Sequence, residues 1–216
     1  MKPKHLKRGR FIVLDGPDGA GKTTQTHLLA QELDKLGIRT LMLREPGGTP
    51  AGEAIRALVL EHRKIALEPL AEAFLFQAAR AQLVREVIVP ALEKGEWVLC
   101  DRFSLSTLVY QGYAGGIDHH EIEALTQFAT GGLSPDLYIV LWVPLKVGIE
   151  RRNHRQADRM ESKGGEFLKD VSNSFQKEAS LHPKKYTLID GSGGVEEVRE
   201  RIWQKIEPLT LDTPGA

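Results

Sequence analysis

Eight consecutive residues, Gly16 to Thr23, match the pattern Gly-x-x-x-x-Gly-Lys-Thr without a gap. Glycines at these places let successive backbone N–H groups turn inward around phosphate oxygens. The lysine of such a P-loop adds positive charge at the β- and γ-phosphates, and its threonine hydroxyl can ligate Mg²⁺. The predicted residues that bind a nucleoside triphosphate are Gly16, Pro17, Asp18, Gly19, Ala20, Gly21, Lys22, Thr23 and the adjacent Thr24.

The context of this loop supports the prediction. The apolar run 11–14 before it is typical of a buried strand, and the leucines of 23–36 share one helical face. A helix that begins at the loop presents its positive N-terminal end to the same anion. The alternative, an ordinary glycine-rich turn with a chance lysine, does not explain why motif and context coincide. The loop does not separate GTPases, ATP-driven motors and small-molecule kinases.

Arginines indicate what stands opposite the triphosphate. A phosphorylated acceptor can approach a triphosphate only if its own charge is neutralised, and forked guanidinium groups do this best. Arg44 and Arg102 each follow a predicted strand, where open α/β sheets bind ligands. The other candidates are Arg56, Arg80 and a flap cluster of Arg151, Arg152, Arg155 and Arg159. Taken singly, each arginine is better explained as a solvated surface residue, and the coincidence with strand ends is what favours a ligand site.

Two further features bear on the chemistry. Asp101 could hold Mg²⁺ directly or through water, or it could simply pair with Arg102 to shape the turn. The basic flap could close over the transferred phosphoryl like an arginine finger, or it could be a flexible charged loop. No general base is evident. A phosphate acceptor does not need one, because its second pKa of about 6 leaves the attacking oxygen largely deprotonated at pH 7.

The surrounding pattern predicts the fold that positions these groups. Short apolar runs predict strands at 11–14, 39–43, 97–100, 137–143 and 187–189. Helical patterns fall at 23–36, 51–60, 69–93, 104–111, 119–129, 145–152 and 195–206, with Pro90 expected to bend or end the third. Short buried strands that alternate with helices predict an α/β protein of the P-loop NTPase fold, with a five-stranded parallel sheet covered on both faces.

Composition narrows the setting. Lys+Arg and Asp+Glu both number 29, so no overall field draws the chain to nucleic acid or to a membrane. The single cysteine, Cys100, excludes an intramolecular disulfide, and the longest apolar run, 137–143, is too short to span a bilayer. We expect a cytoplasmic protein with a disordered tail at 1–9, one domain at 10–209 with a flap at about 151–165, and a C-terminal tail at 210–216.

Several motifs in the same order resemble the thymidylate kinases, especially bacterial members, over nearly the whole chain. They are the P-loop with Asp15 before it, Arg-Glu-Pro-Gly-Gly-Thr at 44–49, Phe-Gln-Ala-Ala-Arg at 76–80, Asp-Arg-Phe at 101–103, Tyr-Gln-Gly at 110–112 and Asp-Arg at 158–159. The resemblance implies transfer of a phosphoryl group from ATP to dTMP with Mg²⁺, which Thr23 and Asp101 would hold, and a homodimer.

The resemblance also implies roles for individual residues. Phe76 would stack on thymine, although the residue alone reads as a core position, and Arg80 would reach the exocyclic oxygen of the base. Arg56 and Arg102 would bind the dTMP phosphate, and Tyr110 would crowd the ribose 2′ position. The remaining implied contacts with the acceptor are those of Asp18, Ser106, Thr107 and Gln111, and Glu45 would help hold Mg²⁺ or the sugar. Family members carry a catalytic arginine in the P-loop or in the flap; Gly19 stands at the variable loop position, so Arg151, Arg155 and Arg159 are the candidates.

Two other functions remain open at this point. A kinase acting on an unphosphorylated small molecule would need a carboxylate base and would leave the arginines without a purpose. A GTPase-like switch would carry Asn-Lys-x-Asp after a strand to read guanine, and this chain lacks that motif.

Overall fold

The computed structural model describes residues 8–61, 65–152 and 158–211. Five strands, β1 (Phe11–Asp15), β2 (Thr40–Arg44), β3 (Trp97–Asp101), β4 (Leu137–Trp142) and β5 (Thr187–Asp190), form one sheet. Their order is β2-β3-β1-β4-β5, and every pairing is parallel. All five predicted strands are therefore confirmed to within one residue or two, together with the α/β class.

Nine α-helices connect or follow the strands: α1 (Lys22–Lys35), α2 (Pro50–Arg56), α3 (Pro69–Leu83), α4 (Val89–Glu93), α5 (Ser104–Thr107), α6 (His119–Thr130), α7 (Leu145–Arg152), α8 (Gly165–Leu181) and α9 (Val195–Thr210), all within the described ranges. Wide helical turns extend three of them, at Ala57–Glu61, Val84–Ile88 and Leu108–Tyr113, and a short 3₁₀ turn spans Glu161–Lys163. Among the described residues, no helix is long and apolar enough to cross a membrane.

Side chains from the two faces of the sheet enter separate cores. One core takes Phe11, Val13, Val98 and Cys100 and is covered by α3, α6 and α8 residues such as Phe175. The other takes Ile12, Leu14, Leu99 and Ile139 and is covered by α1 and α9. Alternate residues of β1 thus point to opposite sides, and because both sides are apolar the strand reads as a continuous hydrophobic run.

The register aligns the carboxyl ends of the three strands that carry candidate residues. Asp101 at the end of β3 lies beside Leu14 of β1 and beside Arg44 of β2. The chain leaves β1 into the P-loop and leaves β3 into Arg102. Because parallel strands end at the same edge of a sheet, the P-loop and the residues after β2 and β3 meet at that edge.

Three features depart from the sequence prediction. The sequence prediction omitted helix α8, which follows the flap. Its apolar residues Val171, Phe175 and Ala179 recur every four positions, a pattern that indicates a helix. Of the two outcomes predicted at Pro90, a bend or an end of the helix, the end is wrong: the wide turn Val84–Ile88 precedes Pro90, which then occupies the first turn of α4, where a missing N–H is tolerated. At the N-terminus Gly9 is already part of the folded chain, since its N–H donates to Leu92 O at 2.8 Å.

Candidate active site

A cavity of about 880 Å³ opens at the carboxyl edge of the sheet. Most of the residues singled out from the sequence line it: Asp18, Gly19, Gly21, Lys22, Thr23, Thr24, Glu45, Arg56, Phe76, Arg80, Asp101, Arg102, Ser106, Thr107, Tyr110, Gln111 and Arg151. Gly16, Pro17 and Ala20 are buried P-loop residues that are not on its wall, and neither is Arg159. Arg155 lies outside the described residues.

Close backbone packing shapes the P-loop. Gly16 has φ 138°, and a Cβ there would lie 2.0 Å from Leu141 O on β4. Gly19 has φ 80°, and a Cβ there would lie 2.3 Å from Gly148 O on α7. Both positions therefore require glycine for conformation and for space. The loop is held between the sheet and α7 by contacts that no other residue type permits.

Lys22 is buried at the start of α1, with its ammonium group donating to Pro17 O at 2.9 Å. Burial lowers the pKa of Lys22 to about 8, and Arg102 adds to that shift, while the carboxylates of Asp101, Asp18 and Asp15 oppose it. A bound phosphate favours the protonated amine, so binding of the anion should raise the pKa of Lys22 again. The lysine is thus poised to respond to a bound triphosphate.

Asp15, at the end of β1, organises the turn after β3. Its fully buried carboxylate accepts five hydrogen bonds: from the Gly16 N–H, the Phe103 and Ser106 N–H groups, the Ser106 hydroxyl and the Tyr138 hydroxyl. These donors come from three separate parts of the chain. A buried carboxylate with so many donors is well compensated, and it fixes the turn that carries Arg102.

Arg102 extends from this turn across to the P-loop. It is the one described non-glycine residue with a positive φ, 72°, a conformation that costs free energy and is held by its surroundings. Its guanidinium donates to Gly16 O at 3.0 Å and to Asp18 Oδ1 at 2.5 Å. The Tyr110 hydroxyl donates to the other oxygen of Asp18 at 2.9 Å. The sequence did not indicate this strained backbone.

The charges of this pair perturb each other. Burial acting alone would raise the pKa of Asp18, but Arg102 and Lys22 outweigh it and hold the pKa well below its usual value. Burial would lower the pKa of Arg102, yet the carboxylates of Asp18, Asp15 and Asp101 keep it raised. Burial raises the pKa of Tyr110, so its hydroxyl stays protonated and remains a donor. Arg102 and Asp18 thus form a fixed ion pair on the cavity wall.

Arg80 on α3 is almost completely buried, at 2% exposed. It donates twice to Glu45 Oε2, at 2.8 and 2.6 Å, and once each to Gln77 Oε1, Thr107 Oγ1 and Phe103 O. These five bonds match the five N–H donors of a guanidinium group. Any ligand oxygen that reaches Arg80 must therefore share or displace one of these bonds.

Glu45 is the partner of Arg80 and is itself buried. Burial raises the pKa of Glu45 although Arg80 opposes the shift. Its second oxygen, Oε1, is the only fully enclosed side-chain polar atom in the described part of the chain that has no hydrogen-bond partner. An unpaired buried acceptor on a cavity wall favours a ligand group that donates a hydrogen bond.

The remaining predicted residues complete the wall around this centre. Phe76, half-buried on α3, lies one turn before Arg80. The Arg56 guanidinium donates to Pro46 O at 2.9 Å, and burial lowers its pKa. Gln111 donates from its amide to Glu72 Oε1 at 2.8 Å. The cavity therefore combines an aromatic face, several cations and a buried amide.

The P-loop end offers oxygen ligands for a hard cation. Thr23 is solvent-exposed, and its hydroxyl donates to Asp101 Oδ2 at 2.5 Å, which joins α1 to the end of β3. A hydroxyl and a carboxylate beside a phosphate-binding loop are the kind of donors that Mg²⁺ takes in such sites. The residues present thus fit the predicted metal.

The flap arginines occupy different places. Arg151, at the end of α7, donates to Gly19 O in the P-loop and to Gly191 O and Gly193 O in the loop after β5. Arg152 also lines the cavity, and it contributes to the low pKa of Asp18. Arg159 instead donates to Glu72 and to Val59 O. This location differs from the predicted position over the P-loop, because the buried Glu72 carboxylate requires cationic partners.

Sequence reasoning missed several residues that build the site. Asp15 and Tyr138 support the Arg102 turn, Glu72 holds Arg159 and Gln111, and Gly191 packs against the P-loop residue Ala20. Two of them had a usable signal: Asp15 directly precedes the P-loop, and Asp-Gly-Ser-Gly-Gly around Gly191 follows the last predicted strand at the ligand-binding edge. The others depend on contacts between distant segments.

Comparison with known proteins identifies the family of the chain. The family model described as thymidylate kinase matches residues 14–202. A thymidylate kinase of Afipia carboxidovorans is 46% identical over 204 residues, covering 93% of this chain and 90% of that protein. This chain is also 45% identical to a thymidylate kinase of Rhodopseudomonas palustris strain TIE-1, with 97% of this chain and 93% of that protein covered. It is 44% identical to a thymidylate kinase of Synechococcus sp. strain JA-3-3Ab, with 93% of this chain and 97% of that protein covered. The chain belongs to the thymidylate kinase family.

Proposed function

We propose that this protein transfers the γ-phosphoryl group of ATP to dTMP, giving dTDP and ADP. The main support is the position of Arg102, which binds the P-loop and borders a second half of the same cavity lined by Arg56 and Arg80. A site for one triphosphate alone has no use for that second cationic half. Two adjacent anion sites suit a reaction between two phosphorylated substrates.

The residues divide into donor and acceptor halves. The P-loop and Lys22 would hold the ATP phosphates, while Arg56 and Arg102 would hold the dTMP phosphate. Asp18 keeps Arg102 aimed across the cavity, as its 2.5 Å contact indicates. With the acceptor oxygen already deprotonated at neutral pH, the reaction needs positioning and charge stabilisation and no protein base.

The acceptor half would recognise a pyrimidine deoxynucleotide. Phe76 would stack on the base, while Arg80 and Thr107 would meet an exocyclic oxygen and Gln111 the base edge. Ser106 and Glu45 also line the cavity and would contact the sugar and phosphate region. Tyr110 is held by Asp18 at a fixed position, so its ring would exclude a 2′-hydroxyl and favour deoxyribose.

Charge at the transferred phosphoryl would come from Mg²⁺ and from α7. Mg²⁺ supplies electrostatic stabilisation of the phosphates when bound, and Thr23 and Asp101 would hold it. Of the three flap arginines predicted, Arg151 is supported by its contact with the P-loop carbonyl of Gly19 and by its place on the cavity wall. Arg155, which lies outside the described residues, and Arg159, which contacts Glu72, remain predictions.

The test is release of ADP with dTMP, dUMP, thymidine or no acceptor. We expect turnover with dTMP and little ADP without an acceptor. Turnover with thymidine and none with dTMP would reject the proposal in favour of a nucleoside kinase. Equal ADP release in all four reactions would indicate an ATPase. Arg102→Met serves as the site control, because it removes the guanidinium that binds the P-loop and should reduce kcat/KM for dTMP by about 10²-fold or more.

We further propose a cytoplasmic homodimer formed by one domain over 10–209. Helices α3 and α6 pack together and expose apolar side chains, with Leu70 48%, Phe74 52% and Phe128 86% exposed. Exposed large apolar groups on neighbouring helices favour association. Sedimentation should give twice the chain mass of 24.0 kDa, and Phe74→Glu should give monomers. A monomeric wild type would reject the dimer. The single buried thiol, Cys100, is compatible with a reducing compartment.

A further inference from the structure

Glu72 on α3 is a buried carboxylate, 1% exposed, that the proposed phosphoryl transfer does not use. It accepts a hydrogen bond from Gln111 Nε2 at 2.8 Å and one from Lys163 Nζ at 3.1 Å, both at Oε1. Arg159 donates to its other oxygen, Oε2. Glu72 is thus paired with two cations, and a carboxylate in such pairs acts as an acceptor of hydrogen bonds.

The acceptor-only character of Glu72 fixes the side-chain amide of Gln111. The NH₂ group must face the carboxylate, so the carbonyl oxygen, Oε1, is turned away from it. Gln111 lines the cavity, and no hydrogen bond to its Oε1 is formed within the described part of the chain. Among the described residues, the one side-chain polar atom that is both fully enclosed and without a hydrogen-bond partner is Glu45 Oε1. The unpaired Gln111 Oε1 is therefore not fully enclosed. Gln111 therefore presents an open acceptor.

We propose that Glu72 is a positioning residue that makes the site select pyrimidines carrying an N–H at ring position 3. The proposal rests on the proposed function, in which Gln111 meets the edge of the base. Thymine and uracil offer a donor at position 3, which the Gln111 carbonyl accepts. Cytosine offers a lone pair there, so two acceptors would face each other and both would stay unpaired. An amide free to rotate would serve either base, and Glu72 removes that freedom.

The variant Glu72→Gln tests this assignment. A neutral glutamine can donate as well as accept, so Gln111 could turn its NH₂ group toward the substrate. The measurement is kcat/KM for dTMP, dUMP and dCMP. We expect the dTMP-to-dCMP ratio to fall by about tenfold or more, and the dTMP-to-dUMP ratio to stay unchanged because both bases carry the N–H. An unchanged dTMP-to-dCMP ratio, or equal changes in both ratios, would overturn the proposal.

Glu178→Gln is the matched control. Glu178 is also buried and accepts a hydrogen bond, from the Tyr113 hydroxyl at 2.8 Å, but it is not on the cavity wall. The same chemical change there should leave both ratios as in the wild type. A fall in the dTMP-to-dCMP ratio for Glu178→Gln equal to that for Glu72→Gln would overturn the proposal, since the effect would then not depend on Gln111.

A measurement on the wild type keeps the proposal testable if Glu72→Gln does not fold. Calorimetric binding of dTMP is compared with that of dTMP methylated at N3, which cannot donate from this position. We expect affinity to fall by about tenfold or more on methylation. Equal affinities would overturn the role of the Gln111 carbonyl. If the wild type phosphorylates dTMP but binds both nucleotides equally, only the inference about Glu72 is rejected. If the wild type does not phosphorylate dTMP, the proposed function is rejected as well.

Discussion

Removing the hydroxyl group of Tyr138 should weaken the site from a position outside it. This hydroxyl on β4 donates to Asp15 Oδ2 at 2.7 Å and accepts from the Leu105 N–H at 2.8 Å. In Tyr138→Phe the Leu105 N–H is left without a partner in a buried place, and the Asp15 carboxylate loses one of its five donors. An orphaned donor costs about 1–3 kcal/mol and a lost hydrogen bond about 1 kcal/mol, so we expect about 2–4 kcal/mol less stability.

For a chain of this length the loss corresponds to a fall in Tm of about 5–15 °C. Thermal unfolding followed by circular dichroism measures it. Tyr186→Phe is the control: Tyr186 packs edge-on against Tyr138 with ring centroids 5.0 Å apart, and its hydroxyl makes no hydrogen bond with the described residues. Its Tm should fall by less than about 3 °C. Equal Tm changes in the two variants would refute the reasoning.

The same variant tests the link between support and function. Asp15 fixes the Phe103 and Ser106 N–H groups, which directly follow Arg102 in the turn. Loosening that carboxylate displaces Arg102, and a displacement approaching 1 Å costs up to about 10²-fold in rate. We expect kcat/KM for dTMP to fall by about tenfold or more well below the Tm of the variant. If kcat/KM is unchanged although Tyr138→Phe is destabilised, Tyr138 supports the fold without positioning Arg102.

Three further predictions concern the donor half. In Gly148→Ala the new Cβ would lie 2.7 Å from the carbonyl oxygen of Asp18 in the P-loop, so α7 must shift. We expect the free energy of unfolding, measured with denaturant, to fall by about 1–3 kcal/mol and the KM for ATP to rise. The control Gly165→Ala has open space around the new Cβ and should change neither quantity. With a pKa of about 8, Lys22 is half deprotonated at about pH 8, so binding of a non-hydrolysable ATP analogue should take up about half a proton there and almost none at about pH 6.5, as calorimetry in several buffers would show. The uptake should vanish in Lys22→Met, and its persistence would assign the proton to another group. Asp101→Asn should raise the Mg²⁺ concentration for half-maximal activity by about 10–100-fold, and an unchanged value would remove Asp101 from the metal site.

The linked proton also predicts how Lys22 affects stability without ligand. Its pKa is lowered in the folded chain, so between about pH 8 and about pH 10.5 the unfolded chain binds more protons than the folded one. Stability contributed by this group therefore rises with pH through that window and is lost below it. Denaturant unfolding at both ends, compared with Lys22→Met, measures the difference, and a stability that falls equally in both proteins would contradict the assignment.

Local patterns in the sequence were sufficient for the scaffold and for the donor half of the site. Strand runs and the glycine spacing depend on neighbouring residues, which is why β1, the P-loop and α1 could be predicted with their order and approximate ends. The carboxyl-edge rule then placed Arg44, Asp101 and Arg102 near the P-loop without any structure. The helix α8 was missed although its period was present in the sequence.

The partners of the charged side chains were decided only by the tertiary structure. Arg159 and Glu72 are 87 positions apart, and nothing in either segment indicates that the buried carboxylate takes this arginine away from the P-loop. Asp15 gathers donors from segments as far as 123 positions away, and the positive φ of Arg102 follows from that packing. Sequence determines which groups are available for chemistry; which of them pair depends on burial, because a charge removed from water takes whichever partner the fold brings within reach.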